Sequence, residues 1–432
     1  MTASLTQGLS VYCIALATLL SPLNLAAQNV KALTLEQALL TADAPHPDLQ
    51  IAQAERELAL ADQSATGARR DLSVNVEGRL QNAQSSLPNA KFSADNSVRL
   101  LARKNLFDFG RSTSAEGAAS AVVDARDLQL IDVRDQRRID IMARYFDVLI
   151  TDMQYISDNE YMTVWYLTFD RARERYEQKL VSKVDVAELE AHFQDLRVKR
   201  NETQNRQRLT RALLAEAMNQ PGQLASELAD PVLASNNRTL PDYEALLKLI
   251  EQNPKLKANQ QLLEASRQRL EAVRADKNPS LDLEFEANDY ANRKLSGRDE
   301  LRAGVVLSWP LYQGNRVSAQ LAREQAQFQK LQAETEKYRR SLMSAVLTAW
   351  IDVEQLQKTE RNAAKVQADY RDLALERSRA LYEMELRTTL GETMATTADA
   401  KLRQRSVEYK LALALAKLEA LLGQPLPAPV KK

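Results

Sequence analysis

The sequence predicts a mixed α/β membrane protein made by internal duplication, each copy a pair of strands followed by a long antiparallel helical hairpin. Three observations predict it: one pattern occurs twice, proline-free stretches of helical length follow each strand pair, and the four strands share a charged face. In the duplication, Pro47-Asp48-Leu49 answers to Pro254-Lys255-Leu256, and Ser73-Val74-Asn75-Val76-Glu77 to Ser280-Leu281-Asp282-Leu283-Glu284. Further on, Asn105-Leu106-Phe107 faces Pro310-Leu311-Tyr312, Arg111 faces Arg316, and the segment from Ala143 to Val148 pairs with that from Ala349 to Val353. A unit that cannot bury its own apolar face often buries it against a copy of itself.

The elements follow in order. Residues 1–27 are set aside as a signal peptide, because Val11 to Leu20 is apolar yet too short to span a bilayer as a helix, and Leu25-Ala26-Ala27 offers small residues for cleavage. The first repeat is then 28–222, with a helix, strands over about 72–81 and 97–106, and a helical hairpin over about 112–218. A linker covers 223–240. The second repeat, 241–424, has a helix, strands over about 280–289 and 300–309, and a hairpin over about 314–422, before a Pro-rich tail at 425–432.

Proline placement licenses the hairpins. None lies between Pro88 and Pro221 or between Pro310 and Pro425, and an interior proline would cost a helix about 3 kcal/mol. Tyr145, Leu149, Met153 and Ile156 in one copy, and Leu342, Val346, Ala349, Val353 and Leu356 in the other, recur in steps of three and four. A helix from Thr113 to Lys179 would be roughly 100 Å long at about 1.5 Å per residue. Asn219 and Gly423, residues that tolerate the left-handed conformation, end the returning helices.

The strands show period two. Leu72, Val74, Val76 and Leu80 alternate with polar residues that include Glu77 and Arg79; Leu281, Leu283 and Phe285 alternate with Asp282, Glu284 and Glu286; Leu301, Ala303, Val305 and Leu307 alternate with Arg302 and Ser308. Alternate residues point to opposite sides of a strand, so Leu283 and Val305 are expected to face lipid and Glu284 and Arg302 water. A soluble sheet with one wet face would alternate equally. Four strands cannot close around a lumen, however, and an open edge in lipid leaves backbone groups unpaired, so several chains must share one barrel.

Composition excludes several classes. Lys+Arg and Asp+Glu are both 58, so net charge gives no reason to expect nucleic acid. Cys13 is the only cysteine, and it lies inside the signal segment, leaving no disulfide staple. His46 and His192 are too few and too far apart in sequence for a structural metal site, and Asp185 with Glu188, one helical turn apart, lack a partner base for acid–base work. No catalytic residue, cofactor or Gly-rich phosphate loop is expected.

With the strand-to-helix junctions Leu106-Phe107-Asp108-Phe109-Gly110-Arg111 and Trp309-Pro310-Leu311-Tyr312-Gln313-Gly314-Asn315-Arg316, and the opening Leu33-Thr34-Leu35-Glu36-Gln37-Ala38-Leu39, nearly the whole mature chain resembles the TolC-type outer-membrane efflux and secretion channels. The resemblance implies a homotrimer whose protomers give four strands each to a twelve-stranded barrel, continuous with a helical periplasmic cylinder. It implies no catalysis, and passage of substrates outward from an inner-membrane transporter of the ABC or RND class through a periplasmic adaptor. Glu77, Arg79, Asp282, Glu284, Glu286 and Arg302 would line the lumen; Trp309, Tyr312 and Phe107 would sit at the membrane interface among outer-membrane lipid.

The same resemblance places the periplasmic entrance where the long helices turn, at Tyr176 to Val186 and Tyr382 to Gly391. It implies that Asp185, Tyr382 and Arg387 tie neighbouring hairpins together in the closed state, with Glu188 nearby; Asp185 as an ordinary helix cap is the competing reading. Lys179 and Glu385 stand where the family often has glycine, and Gly391 and Met394 where some members carry acidic rings. A soluble exported coiled-coil scaffold or a periplasmic adaptor would share the hairpins. It would need neither the four amphipathic strands nor the second copy.

Overall fold

A computed structural model describes residues 32–84, 91–225, 227–290, 300–384 and 390–426; the signal segment expected at 1–27, Glu385, Arg387 and the last six residues of the tail lie outside them. The first repeat runs α1 (Leu35–Leu40), α2 (Pro47–Gly67), β1 (Ser73–Arg79), β2 (Asn82–Ala83), β3 (Ser93–Ala94), β4 (Ser97–Phe107), α3 (Arg111–Glu177) and α4 (Lys183–Ala217). The second runs α5 (Tyr243–Leu247), α6 (Pro254–Ala275), β5 (Ser280–Tyr290), β6 (Leu301–Ser308), α7 (Arg316–Gln355), α8 (Arg361–Glu383) and α9 (Leu390–Leu422).

The duplication is written in the caps. α2 starts with Pro47 at its first turn behind His46, whose Nδ1 accepts from the Asp48 amide at 3.2 Å; α6 starts with Pro254 behind Asn253, whose Oδ1 accepts from the Leu256 amide at 2.8 Å. α4 and α9 both stop at a left-handed residue, Asn219 at φ 58° and Gly423 at φ 68°. Only glycine fits the second stop, because a Cβ there would lie 2.5 Å from the Gln252 carbonyl oxygen.

α3 is a single helix of 67 residues, roughly 100 Å at about 1.5 Å per residue. Its counterpart departs from the expectation of an uninterrupted helix. α7 and α8 are joined by a π-turn at Leu356–Glu360, the kind of local widening that adds one residue to a helical turn. The π-turn directs Gln357 Nε2 to the Arg238 carbonyl at 3.0 Å, while Arg361 just beyond it pairs with Glu408 at 2.6 Å.

Two apolar cores sit at the level where the linkers cross the helices. One gathers Ile141, Tyr145, Val148, Leu214 and Tyr409; the other gathers Leu342, Val346, Val353, Leu411, Leu415 and Leu418. In each, an aromatic of the long helix pins a linker. The Tyr145 hydroxyl lies 2.7 Å from the Leu33 carbonyl oxygen and 2.6 Å from that of Ala229, and the Trp350 indole donates to the Pro241 carbonyl at 2.9 Å. Burial pushes the Tyr145 phenol up to about 12. Arg137, also buried, donates to the carbonyls of Ala42 and Ala217 and so holds the turn after α1 and the end of α4 to α3.

β1, β4, β5 and β6 form one antiparallel sheet in the order β1-β4-β5-β6. β2 and β3 prolong the β1–β4 pair as a two-residue ribbon, beyond the strand ends expected at about 81 and 97. Among the described residues, no helix is long and apolar enough to cross a membrane.

Candidate channel wall and entrance

The sheet register sorts the strand residues by face. Val74, Val76, Val98, Leu100, Leu283, Phe285, Ala303 and Val305 lie on one side, with Leu283 between Val305 and Lys104; Lys104 and, at the loop end, Asp289 are the charged residues on this side. The other side carries Glu77, Arg79, Asp282, Glu284, Glu286 and Arg302, the six residues expected in the lumen, together with Arg99 and Arg103. These charges form rungs. Glu77 stands opposite Arg99, Arg103 opposite Glu284, and Glu286 opposite Arg302. Arg99 also reaches Glu286 at 3.0 Å, and Arg103 reaches Asp282 at 2.7 Å and Glu284 at 3.3 Å. Asp282 is 5 % exposed and additionally accepts from the Asn105 amide group at 2.8 Å.

Arg99 and Arg103 were hidden in sequence. In β4 they flank Leu100-Leu101-Ala102, an apolar run that blurs the alternation. A register shift between Asn105 and Phe107 then changes parity, so that Phe107 pairs with Leu281 and joins the apolar side. The bulge thereby points an aromatic outward at the helix-proximal end of the sheet. Trp309, whose indole donates to the Lys277 carbonyl at 3.3 Å, and Tyr312 are likewise exposed at that end. Three aromatics at one level are what an interface with a polar headgroup layer uses.

Below them the chain turns from strand to helix. Phe109 at φ 54° and Gly110 at φ 93° make a left-handed corner, and the buried Asp108 carboxylate accepts from the Ser112 amide at 3.0 Å, capping α3. Arg69, Asp71, Arg103, Arg111, Asp276 and Asp282 surround a polar cavity here. The charged wall therefore continues past the sheet into the mouth of the helical section.

At the far end, α3 stops in a Schellman turn: the Leu180 amide donates to Arg175 at 2.9 Å and the Lys179 amide to Tyr176 at 2.8 Å, with Lys179 at φ 61°. The position where glycine is frequent is thus a genuine left-handed one. α4 opens with a reciprocal cap in which Ser182 Oγ accepts from the Asp185 amide and Asp185 Oδ2 accepts from the Ser182 amide, at 3.2 and 3.1 Å. Within one protomer, then, Asp185 is a helix cap. Glu188, Tyr382 and Met394 are exposed, and Arg387 lies outside the described residues. Gly391 is a point of close approach, where a Cβ would stand 3.0 Å from Val164 Cγ2. Leu180, Val184 and Met384 leave an apolar surface at the tips.

Residues 245–424 match the family described as outer membrane efflux protein. The outer membrane protein VceC from Vibrio cholerae superposes with a TM-score of 0.73 at 18 % identity, over 90 % of this chain and 96 % of that one. The open state of the MtrE outer membrane channel from Neisseria gonorrhoeae gives 0.71 at 18 % identity, over 90 % and 89 %. The Campylobacter jejuni CmeC outer membrane channel gives 0.74 at 11 % identity, over 90 % and 85 %. No curated protein matches the chain.

Proposed function

We infer that this protein, whose residues 245–424 match the outer membrane efflux protein family and which over 90 % of its length has the fold of solved outer-membrane channels, is the outer-membrane exit duct of a tripartite efflux pump. The observation that carries this reading is the sheet itself: one face apolar apart from Lys104 and Asp289, one charged face, and two unpaired edges, β1 and β6. Three copies joined edge to edge make a twelve-stranded barrel with no free edge, the condition for backbone to sit in lipid. The helices then extend into the periplasm as the walls of the duct.

The protein's work is conduction rather than chemistry. The exposed Leu180, Val184, Tyr382 and Met384 at the hairpin tips are the surface that a periplasmic adaptor covers, linking the duct to an inner-membrane transporter of the ABC or RND class. Service in type I secretion uses the same architecture. Full-length protein should fractionate with the outer membrane, run as a heat-modifiable trimer in detergent, and open stable single channels in planar bilayers. A monomer that stays soluble without detergent would overturn the reading.

Asp185, Tyr382 and Arg387 form the closed-state latch between neighbouring hairpins in this proposal. Asp185 keeps its cap while offering its carboxylate to an Arg387 guanidinium, and the Tyr382 hydroxyl stands exposed beside the turn. Exposed ion pairs contribute about 0–1 kcal/mol each, so three symmetric copies bias a closure that adaptor docking reverses. Replacing Tyr382 by Phe and Arg387 by Ser together should raise single-channel conductance without loss of trimer. Unchanged conductance would leave Asp185 as a cap alone.

A further inference from the structure

We propose that the barrel wall of this duct is charge-neutral rung by rung, so that it passes cations and anions alike, and that Arg99 and Arg103 are the residues that cancel its acidic lining. The proposal rests on the exit-duct reading and deepens it by naming the substrate property to which the barrel is indifferent.

The argument begins with the rungs. A cross-strand pair places two side chains about 5 Å apart at one height, and three such heights each hold one carboxylate and one guanidinium: Glu77 with Arg99, Glu286 with Arg302, Glu284 with Arg103. The two further charges on that face sit at its two ends and are paired as well, Arg79 toward the loops with Glu77 at 2.9 Å and Asp282 toward the helices with Arg103 at 2.7 Å. Taken together, four guanidiniums meet four carboxylates. A wall carrying only one sign would concentrate counter-ions and repel like-charged cargo. Here opposite charges lie within 3.3 Å of each other, much less than the Debye length of about 8 Å at physiological salt. Their fields therefore close on one another before reaching the axis.

The acids alone would make a different pore. Without Arg99 and Arg103, the four carboxylates of every protomer would face only Arg79 and Arg302, and the trimer would carry that surplus of two negative charges three times over. β5 has no basic residue of its own, so the cancellation depends on a strand from the other repeat.

The test is reversal potential in a potassium chloride gradient, where the two ions have nearly equal mobility in water, using full-length trimers in planar bilayers of neutral lipid. Wild type should show a cation-to-anion permeability ratio close to unity. Arg99→Gln with Arg103→Gln should raise that ratio severalfold, and Glu284→Gln with Glu286→Gln should lower it by a similar factor. The charge swap Glu286→Arg with Arg302→Glu, which keeps its rung neutral, should leave it at the wild-type value. A strongly sign-selective wild type would overturn the proposal, and so would conducting variants whose ratios stay put while trimer stability falls, which would make the ladder a clamp between strands. Should a variant fail to assemble, the wild-type ratio and the opposite variant pair still decide. Wild-type trimers that conduct nothing would overturn the exit-duct reading itself.

Discussion

Lys179 shows how a single residue can be placed by sequence and explained only by structure. It ends α3 at φ 61°, a conformation that costs a residue with a Cβ roughly 1–2 kcal/mol relative to glycine. The surrounding turn keeps both Schellman hydrogen bonds, so the strain is localised to one residue. Lys179→Gly should stabilise the tip by about 1 kcal/mol, read as slower amide exchange over the last turn of α3; faster exchange would mean that the lysine makes a contact across protomers. Tyr145 makes the opposite point, since a helical-stripe residue turns out to be a polar tether. Its phenol, at about 12 when folded and near 10 when free, holds its proton more tightly in the folded state. That advantage is complete below pH 10 and is lost as pH rises from 10 through 12. Tyr145→Phe should lower stability at neutral pH by about 1 kcal/mol and flatten the alkaline limb of a thermal-stability profile.

At the scale of elements, the long helices were legible because proline gaps and three-four spacing are strong signals, and β5 and β6 because Leu281, Leu283 and Phe285 alternate cleanly with Asp282, Glu284 and Glu286. β4 was harder to read. Its Leu100-Leu101-Ala102 run puts a leucine on the charged face between Arg99 and Arg103 and so hides both, while the bulge between Asn105 and Phe107 shifts the parity only of the strand end beyond them. The π-turn at Leu356–Glu360 leaves no mark either, because Leu-Gln-Lys-Thr-Glu has ordinary helical composition and the contacts made there, Gln357 with Arg238 and Arg361 with Glu408, are with residues far along the chain. The Ser182-x-x-Asp185 cap, in contrast, follows from local chemistry alone. The sheet assignment has a direct consequence for substitution. Leu283→Arg puts a charge on the apolar face and should cost about 2–4 kcal/mol near the bilayer midplane, whereas Glu284→Gln on the other face should leave folding intact. A membrane-impermeant thiol reagent should modify cysteine at 284 and spare cysteine at 283; the reverse pattern would invert the faces.

In the proposed duct a single chain is unfinished. β1 and β6 are the two edges of a four-stranded sheet whose apolar face includes Val76, Leu301 and Leu307, all exposed; lipid can cover that face, but the unpaired backbone of the edges cannot remain so in a bilayer. Within one protomer β4 and β5 separate the edges, three strand spacings of about 4.8 Å each, too far for a disulfide, which needs Cα atoms about 4.4–6.8 Å apart. A bond between the edges must therefore join two protomers. Val76→Cys combined in turn with cysteine at 303, 305 or 307, all on the apolar face with Val76, samples the registers in which β1 of one copy can meet β6 of the next. One combination should cross-link under mild oxidation, and because each protomer has two neighbours in a closed ring, the product should rise to a covalent trimer and stop there. A ladder continuing past three would mean an open assembly. No link in any of the three combinations would mean that β1 and β6 do not meet, and the barrel would have to close by some other pairing.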